Sequence, residues 1–141
     1  MSFSNRTAQA LLNSLFGKTS NFGALASAPT IYVGLSSTTP AEDGTGVTEP
    51  STGSYARVAT SAATWNAATS ADPSVVSNAA AITFPTATAN WASGSNLTHL
   101  VLFDASTSGN VLGSVALTTA KPVLSGDTAE FPASSLTVSL D

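Results

Sequence analysis

The sequence predicts an all-β fold: an antiparallel two-sheet sandwich, jelly-roll-like, with one short N-terminal amphipathic helix. Three observations carry this expectation. Beyond about residue 30 the apolar side chains recur with a period of two. Clusters of Gly, Pro, Ser, Asn and Asp separate the runs. No helical period intervenes, which removes parallel βαβ units. At 141 residues the chain is long enough to bury a core, and a single sandwich domain over 1–141 is expected.

The helix comes first. In SFSNRTAQALLNSLFGKTS, Ala8, Leu11, Leu12, Leu15 and Phe16 fall at i, i+3, i+4, i+7 and i+8 and form one apolar stripe. Ser4 or Asn5 can cap its start, and Gly17 with Lys18 suits its end, so a helix near 5–16 is predicted within an N-terminal segment of 1–18. The stripe of Leu11, Leu12, Leu15 and Phe16 either closes one end of a sheet core or forms an arm that docks on a neighbour.

Strands follow. Ile31, Val33 and Leu35 alternate with Tyr32, Gly34 and Ser36, and Leu136, Val138 and Leu140 alternate with Ser135, Thr137 and Ser139. LTHLVLF at 97–103 is apolar on both faces, as in a central strand covered twice. Runs near 31–37, 55–60, 61–67, 75–84, 97–103, 110–118, 120–124, 128–131 and 134–140 make about eight or nine short strands. DASTSGN at 104–110 reads as a hairpin connection and SGD at 125–127 as a tighter turn. Val33, Ile82, Leu100, Val115, Leu136 and Val138 are the expected core.

Composition narrows function by exclusion. Hydrophobic residues make up 43% and charged residues only 9%, so the surface is kept wet by hydroxyls and amides. That suits a chain packed beside copies of itself or a partner. The four basic residues, Arg6, Lys18, Arg57 and Lys121, are scattered, which argues against nucleic acid. No apolar run reaches membrane-spanning length, and Ser, Asn, Arg and Gln interrupt any signal-peptide core, so no membrane partner and no processing are expected. There is no cysteine.

Chemistry fails on inventory. His99, the single histidine, lies inside the most apolar strand, where a buried structural role is expected, and no Gly-x-Ser-x-Gly elbow presents a serine. Zinc needs several His or Cys ligands, and GKT at 17–19 lacks the upstream glycine of a phosphate loop. The connection STTPAEDGTGVTEPSTGSYAR at 37–57 carries Glu42, Asp43 and Glu49, three of eight carboxylates. Their spacing fits no EF-hand, and a loop rich in Gly and Pro buries no carboxyl as a glycosidase pair demands. Residues 37–54 are therefore expected to face solvent or a partner, with no metal, no cofactor and no catalytic group, and replacing all three carboxylates by Gln is expected to leave the melting temperature within a few degrees. Core packing is expected for Trp65 and Trp91, with a sugar-stacking platform as the alternative.

The order of the segments carries a resemblance. A short amphipathic helix, Tyr32-Val33-Gly34-Leu35-Ser36, Thr38-Thr39-Pro40, an acidic loop, and Gly53, Tyr55 and Arg57 in a Gly-x-Tyr-x-Arg phrase are followed by Asn78-Ala79 with Ile82, Phe84 and Pro85. Thr98-His99 and the ending Leu136-Thr137-Val138-Ser139-Leu140-Asp141 come last. Across nearly the whole chain this resembles a family of small structural proteins of tailed bacteriophages, often catalogued as tail-fibre proteins. The resemblance implies a virion structural protein, assembled in the bacterial host cytoplasm, with no catalytic residues. Fibres span distance through repeats, coiled coils or β-helical rungs, and none is visible here. The leading expectation is thus a capsid decoration or cement protein that contacts the major capsid protein. A tail or tail-fibre adaptor component is the alternative within the virion, and a carbohydrate-binding module the alternative outside it. A homo-oligomer, dimer or trimer, is expected, with Leu11, Leu12, Leu15, Phe16, Glu42, Asp43 and Glu49 as candidate interface residues.

Overall fold

The computed structural model describes residues 5–18, 29–41 and 43–140. It is an all-β sandwich class of fold with one short helix. The elements in chain order are α1 (Asn5–Leu15), β1 (Tyr32–Ser36), β2 (Val58–Ala59), β3 (Ser74–Ser77), β4 (Ile82–Thr83), β5 (Leu97–Phe103), β6 (Val111–Lys121), β7 (Glu130–Phe131) and β8 (Thr137–Leu140). They form a four-stranded antiparallel sheet of order β2-β1-β5-β6 and two two-stranded sheets, β3-β8 and β4-β7. Packing groups the chain into two compact units, Met1–Thr30 with Thr60–Ile82 and Phe131–Asp141, and Ile31–Ala59 with Thr83–Glu130.

In the first unit α1 packs on the β3-β8 pair. The helix ends in a Schellman motif: the Lys18 N–H donates to the Asn13 carbonyl (2.6 Å) and the Gly17 N–H to that of Ser14 (3.4 Å), with Gly17 at φ 71°. The caps proposed at Ser4 and Asn5 lie outside the described side chains. The buried face is rotated from the predicted stripe. Leu12 and Phe16 are buried with Ala10 and Asn13, Leu15 is half-buried, and Leu11 is exposed. The rotation has a polar cause. Asn13 Oδ1 accepts from the Ala68 N–H (2.8 Å) while Gln9 Nε2 donates to the Ala68 carbonyl (3.0 Å), so two amides that read as solvent-facing occupy the buried side.

Phe16 meets Trp65 edge-on at 4.4 Å between ring centres, and the Trp65 indole N–H donates to Thr60 Oγ1 (3.0 Å). Asn78 ties this unit together. Its Nδ2 donates to the carbonyls of Ala80 (2.9 Å) and Pro132 (2.8 Å), and its Oδ1 accepts from the Leu136 N–H (2.8 Å). The run expected as a strand over 61–67 is instead a 3₁₀ turn at Ala62–Thr64 followed by a single bridge from Trp65 to Asn78. Ser61 N–H donates to Thr64 Oγ1 (3.1 Å), the local side-chain bond by which Ser and Thr divert backbone from a ladder.

In the second unit β5 is the central strand, paired with β1 through Tyr32↔Phe103 to Ser36↔His99 and with β6 through Leu100↔Val115. The two runs expected at 110–118 and 120–124 are one strand, β6, which Pro122 ends because it has no N–H to give. The expected single run 75–84 is split into β3 and β4. Of the expected core, Val33, Ile82, Leu100 and Leu136 are buried, but Val138 is half-buried and Val115 is 51% exposed. Val115 has the right phase, sharing a face with Leu35 and Leu100 by register. It is exposed because β6 is the edge of its sheet. His99 is half-buried, with Nδ1 2.9 Å from Thr98 Oγ1.

Candidate functional site

The phrase Gly53-x-Tyr55-x-Arg57 and the acidic connection that precedes it form one polar clamp in the second unit. Its base is Gly34 in the middle of β1. A Cβ there would lie 2.8 Å from the Phe103 ring, 2.9 Å from Glu49 Oε1 and 2.9 Å from Tyr55 Oη, so only glycine lets these three close on the sheet. Tyr55 Oη accepts from the Leu35 N–H (2.9 Å) and donates to Glu49 Oε1 (2.7 Å). Arg57 Nη2 pairs with Glu49 Oε2 (2.6 Å) and its Nε with Oε1 (3.0 Å), a two-pronged ion pair with side-chain exposures of 8% and 21%. The same guanidinium lies 3.3 Å from the Phe103 ring centre and donates through Nη1 to the carbonyls of Ala105 (2.8 Å) and Ser108 (2.7 Å). One arginine thereby holds the acidic connection, the sheet and the 104–110 hairpin.

Gly53 sets the corner from which Tyr55 starts. It sits at φ 71°, and a Cβ would lie 2.5 Å from the Ala89 carbonyl oxygen. That carbonyl approach is matched by the Gly53 oxygen, which accepts from the Trp91 indole N–H (2.9 Å) and the Thr88 N–H (3.0 Å). Trp91 meets Tyr55 edge-on at 5.1 Å and Phe84 at 6.1 Å, an aromatic cluster under the clamp. Trp65 and Trp91 are 2% and 0% exposed with their indole N–H groups bonded internally, which removes the sugar-stacking alternative and leaves the core role.

The connection itself is tied down. Buried Ser36 Oγ donates to the Thr38 carbonyl (2.8 Å) and accepts from the Thr48 N–H (3.0 Å), and Thr38 Oγ1 donates to the Gly46 carbonyl (2.6 Å). Asp43 is exposed and accepts from the Thr45 N–H (3.0 Å) and hydroxyl (2.7 Å), which hold its carboxyl below the usual range. Glu42 lies outside the described residues. Asp43 and Glu49 have separate partners. Asp43 is exposed and bonded only within its own turn, whereas the Glu49 side chain is turned towards Tyr55 and Arg57. Sequence alone places Glu49 among candidate interface residues and Tyr55 and Arg57 at the start of the next run; their spacing of six and eight residues from Glu49 is the signal that they are its partners.

The groups of the clamp bind one another. Burial first, then the bond to Glu49, push the Tyr55 hydroxyl well above its usual range, and the Glu49 carboxylate is occupied by three donors. Among the described residues no three His, Asp or Glu side chains group as metal ligands, and no helix is long and apolar enough to cross a membrane. Every buried side-chain polar atom among them has a partner.

The polar groups of this β protein tie down its own loops, and apolar residues stand on a sheet edge. Residues 2–139 match the family of the podophage GP4 fiber I protein gp80, and the chain belongs to that family. It is a phage fibre-type structural protein and part of the virion. No curated protein matches it.

Proposed function

We propose that this chain is a tail-fibre or fibre-adaptor subunit that works by contact alone, without catalysis. The observation that carries the reading is the family match, which covers nearly the whole chain and names a fibre protein. It favours the fibre reading over capsid decoration, the leading expectation from the sequence. The internally satisfied polar network and the sparsely charged surface support a role in packing against other virion proteins. Assembly would take place in the host cytoplasm. Copy number per particle tests the reading. Quantitative mass spectrometry of purified virions should count on the order of tens of copies or fewer, set by the symmetry of the tail. Hundreds of copies on the icosahedral lattice would return the protein to the head.

A further inference from the structure

The acidic connection holds the one place in the chain where an Asp or Asn precedes a glycine, Asp43-Gly44. A glycine amide has no side chain to hinder its attack on the preceding carboxyl, so this dipeptide is the one most open to backbone rearrangement. Asp43 is exposed, and Gly44 sits at φ 82°. Both reacting groups are nonetheless engaged. Asp43 Oδ1 accepts from the Thr45 N–H (3.0 Å) and from the Thr45 hydroxyl (2.7 Å). The Gly44 N–H donates to the Ala41 carbonyl (2.9 Å), and the Ala41 N–H closes the turn on the Thr45 carbonyl (2.8 Å).

We infer that Asp43-Gly44 is a backbone modification site, where aspartate cyclises to a succinimide and reopens as isoaspartate, and that the turn around it restrains this step in the folded chain. The Gly44 nitrogen attacks Asp43 Cγ. The N–Cγ bond forms, and one carboxyl oxygen leaves as water with the amide proton and the carboxyl proton. Water then adds back to the ring. Addition at Cγ restores aspartate. Addition at the Asp43 backbone carbonyl breaks its bond to the Gly44 nitrogen, and the chain then runs through Cβ and Cγ. One water is lost and one gained, nothing is oxidised, and the mass is unchanged. The folded turn opposes the reaction at each reacting group. The Thr45 donors favour the ionised carboxylate and hold it below its usual range, whereas the neutral acid is the form that loses water. The nitrogen must first release Ala41, and the carboxyl must turn from Thr45 to present Cγ to it. Groups held away from a near-attack geometry lose orders of magnitude in rate. Isoaspartate therefore accumulates in molecules whose connection has opened, and the added backbone carbon then keeps the Ala41–Thr45 turn from closing as before.

The test ages the full chain at neutral pH, folded and in urea. Isoaspartate is counted by methyl transfer from an isoaspartyl methyltransferase and located by peptide mapping. The folded chain should gain it at Asp43 at least roughly tenfold more slowly than the chain in urea. Thr45→Val keeps the shape of the side chain but removes the hydroxyl donor. It should raise the folded rate about fivefold, the worth of one hydrogen bond, and leave the rate in urea and the melting temperature unchanged. Asp43→Glu should abolish the signal at this position, because glutamate would have to close a six-membered ring. Equal rates in the two states, a folded rate unmoved by Thr45→Val, or isoaspartate that forms only at other positions would overturn the inference.

Discussion

Glu49 and Tyr55 show how a surface-looking sequence hides buried chemistry. Breaking a fully buried ion pair by removing one charge costs about 3–5 kcal/mol; Glu49 keeps 21% exposure, so Glu49→Gln should cost about 2 kcal/mol. Calorimetry should read that as a fall of about 6–10 °C in melting temperature, while Asp43→Asn, at an exposed turn, should stay within about 2 °C. Tyr55 gives a pH signature. Its hydroxyl is held protonated when folded at pH values where the unfolded chain's tyrosine, ordinary value 10.0, ionises. The raised value means that its stabilisation is complete below about pH 10 and is lost as pH climbs above it, by up to about 1.4 kcal/mol per unit. Urea titrations at pH 8, 10 and 11 should show this alkaline decline in the wild type and a shallower one in Tyr55→Phe; equal slopes would mean that another group governs it.

At the scale of elements, α1 is part of a core. Leu12 and Phe16 are buried, and Phe16 packs on Trp65, so Phe16→Ala should cost about 3–4 kcal/mol of stability. A detachable arm would show almost no loss on chemical denaturation of that variant. The helix was legible to within a residue at its C-terminal end, because a period of 3.6 and a Gly-Lys stop are local signals. Its rotation was not, because Gln9 and Asn13 face inward to bind Ala68, a residue more than fifty positions away. β5 was read from end to end, as an unbroken apolar run flanked by turn residues has little else to be. The Ala- and Thr-rich stretch around 61–84 was read least well, since neither residue separates the two faces of a strand and local Ser and Thr bonds decide its path.

At the scale of the whole molecule, the two units are interleaved along the chain, each built from separate stretches. Neither can be completed by an N-terminal portion. A fragment of residues 1–82 holds β1 and β3 but lacks β5 and β8, their ladder partners. It should show no cooperative transition by circular dichroism, whereas the full chain melts cooperatively; a folded fragment would mean that the units need fewer of their segments than the packing implies.

The sequence by itself determined the class of fold, the helix, the long central strand and the family of phage structural proteins. Each of these rests on local period, turn chemistry or an ordered string of motifs. Only the tertiary structure decided which carboxylate turns inward, which face of α1 is buried and that Val115 stands at an open edge. Those depend on which strands become neighbours and on side chains that meet across the fold, and alternation along a strand reports the phase of a residue but not whether anything covers it.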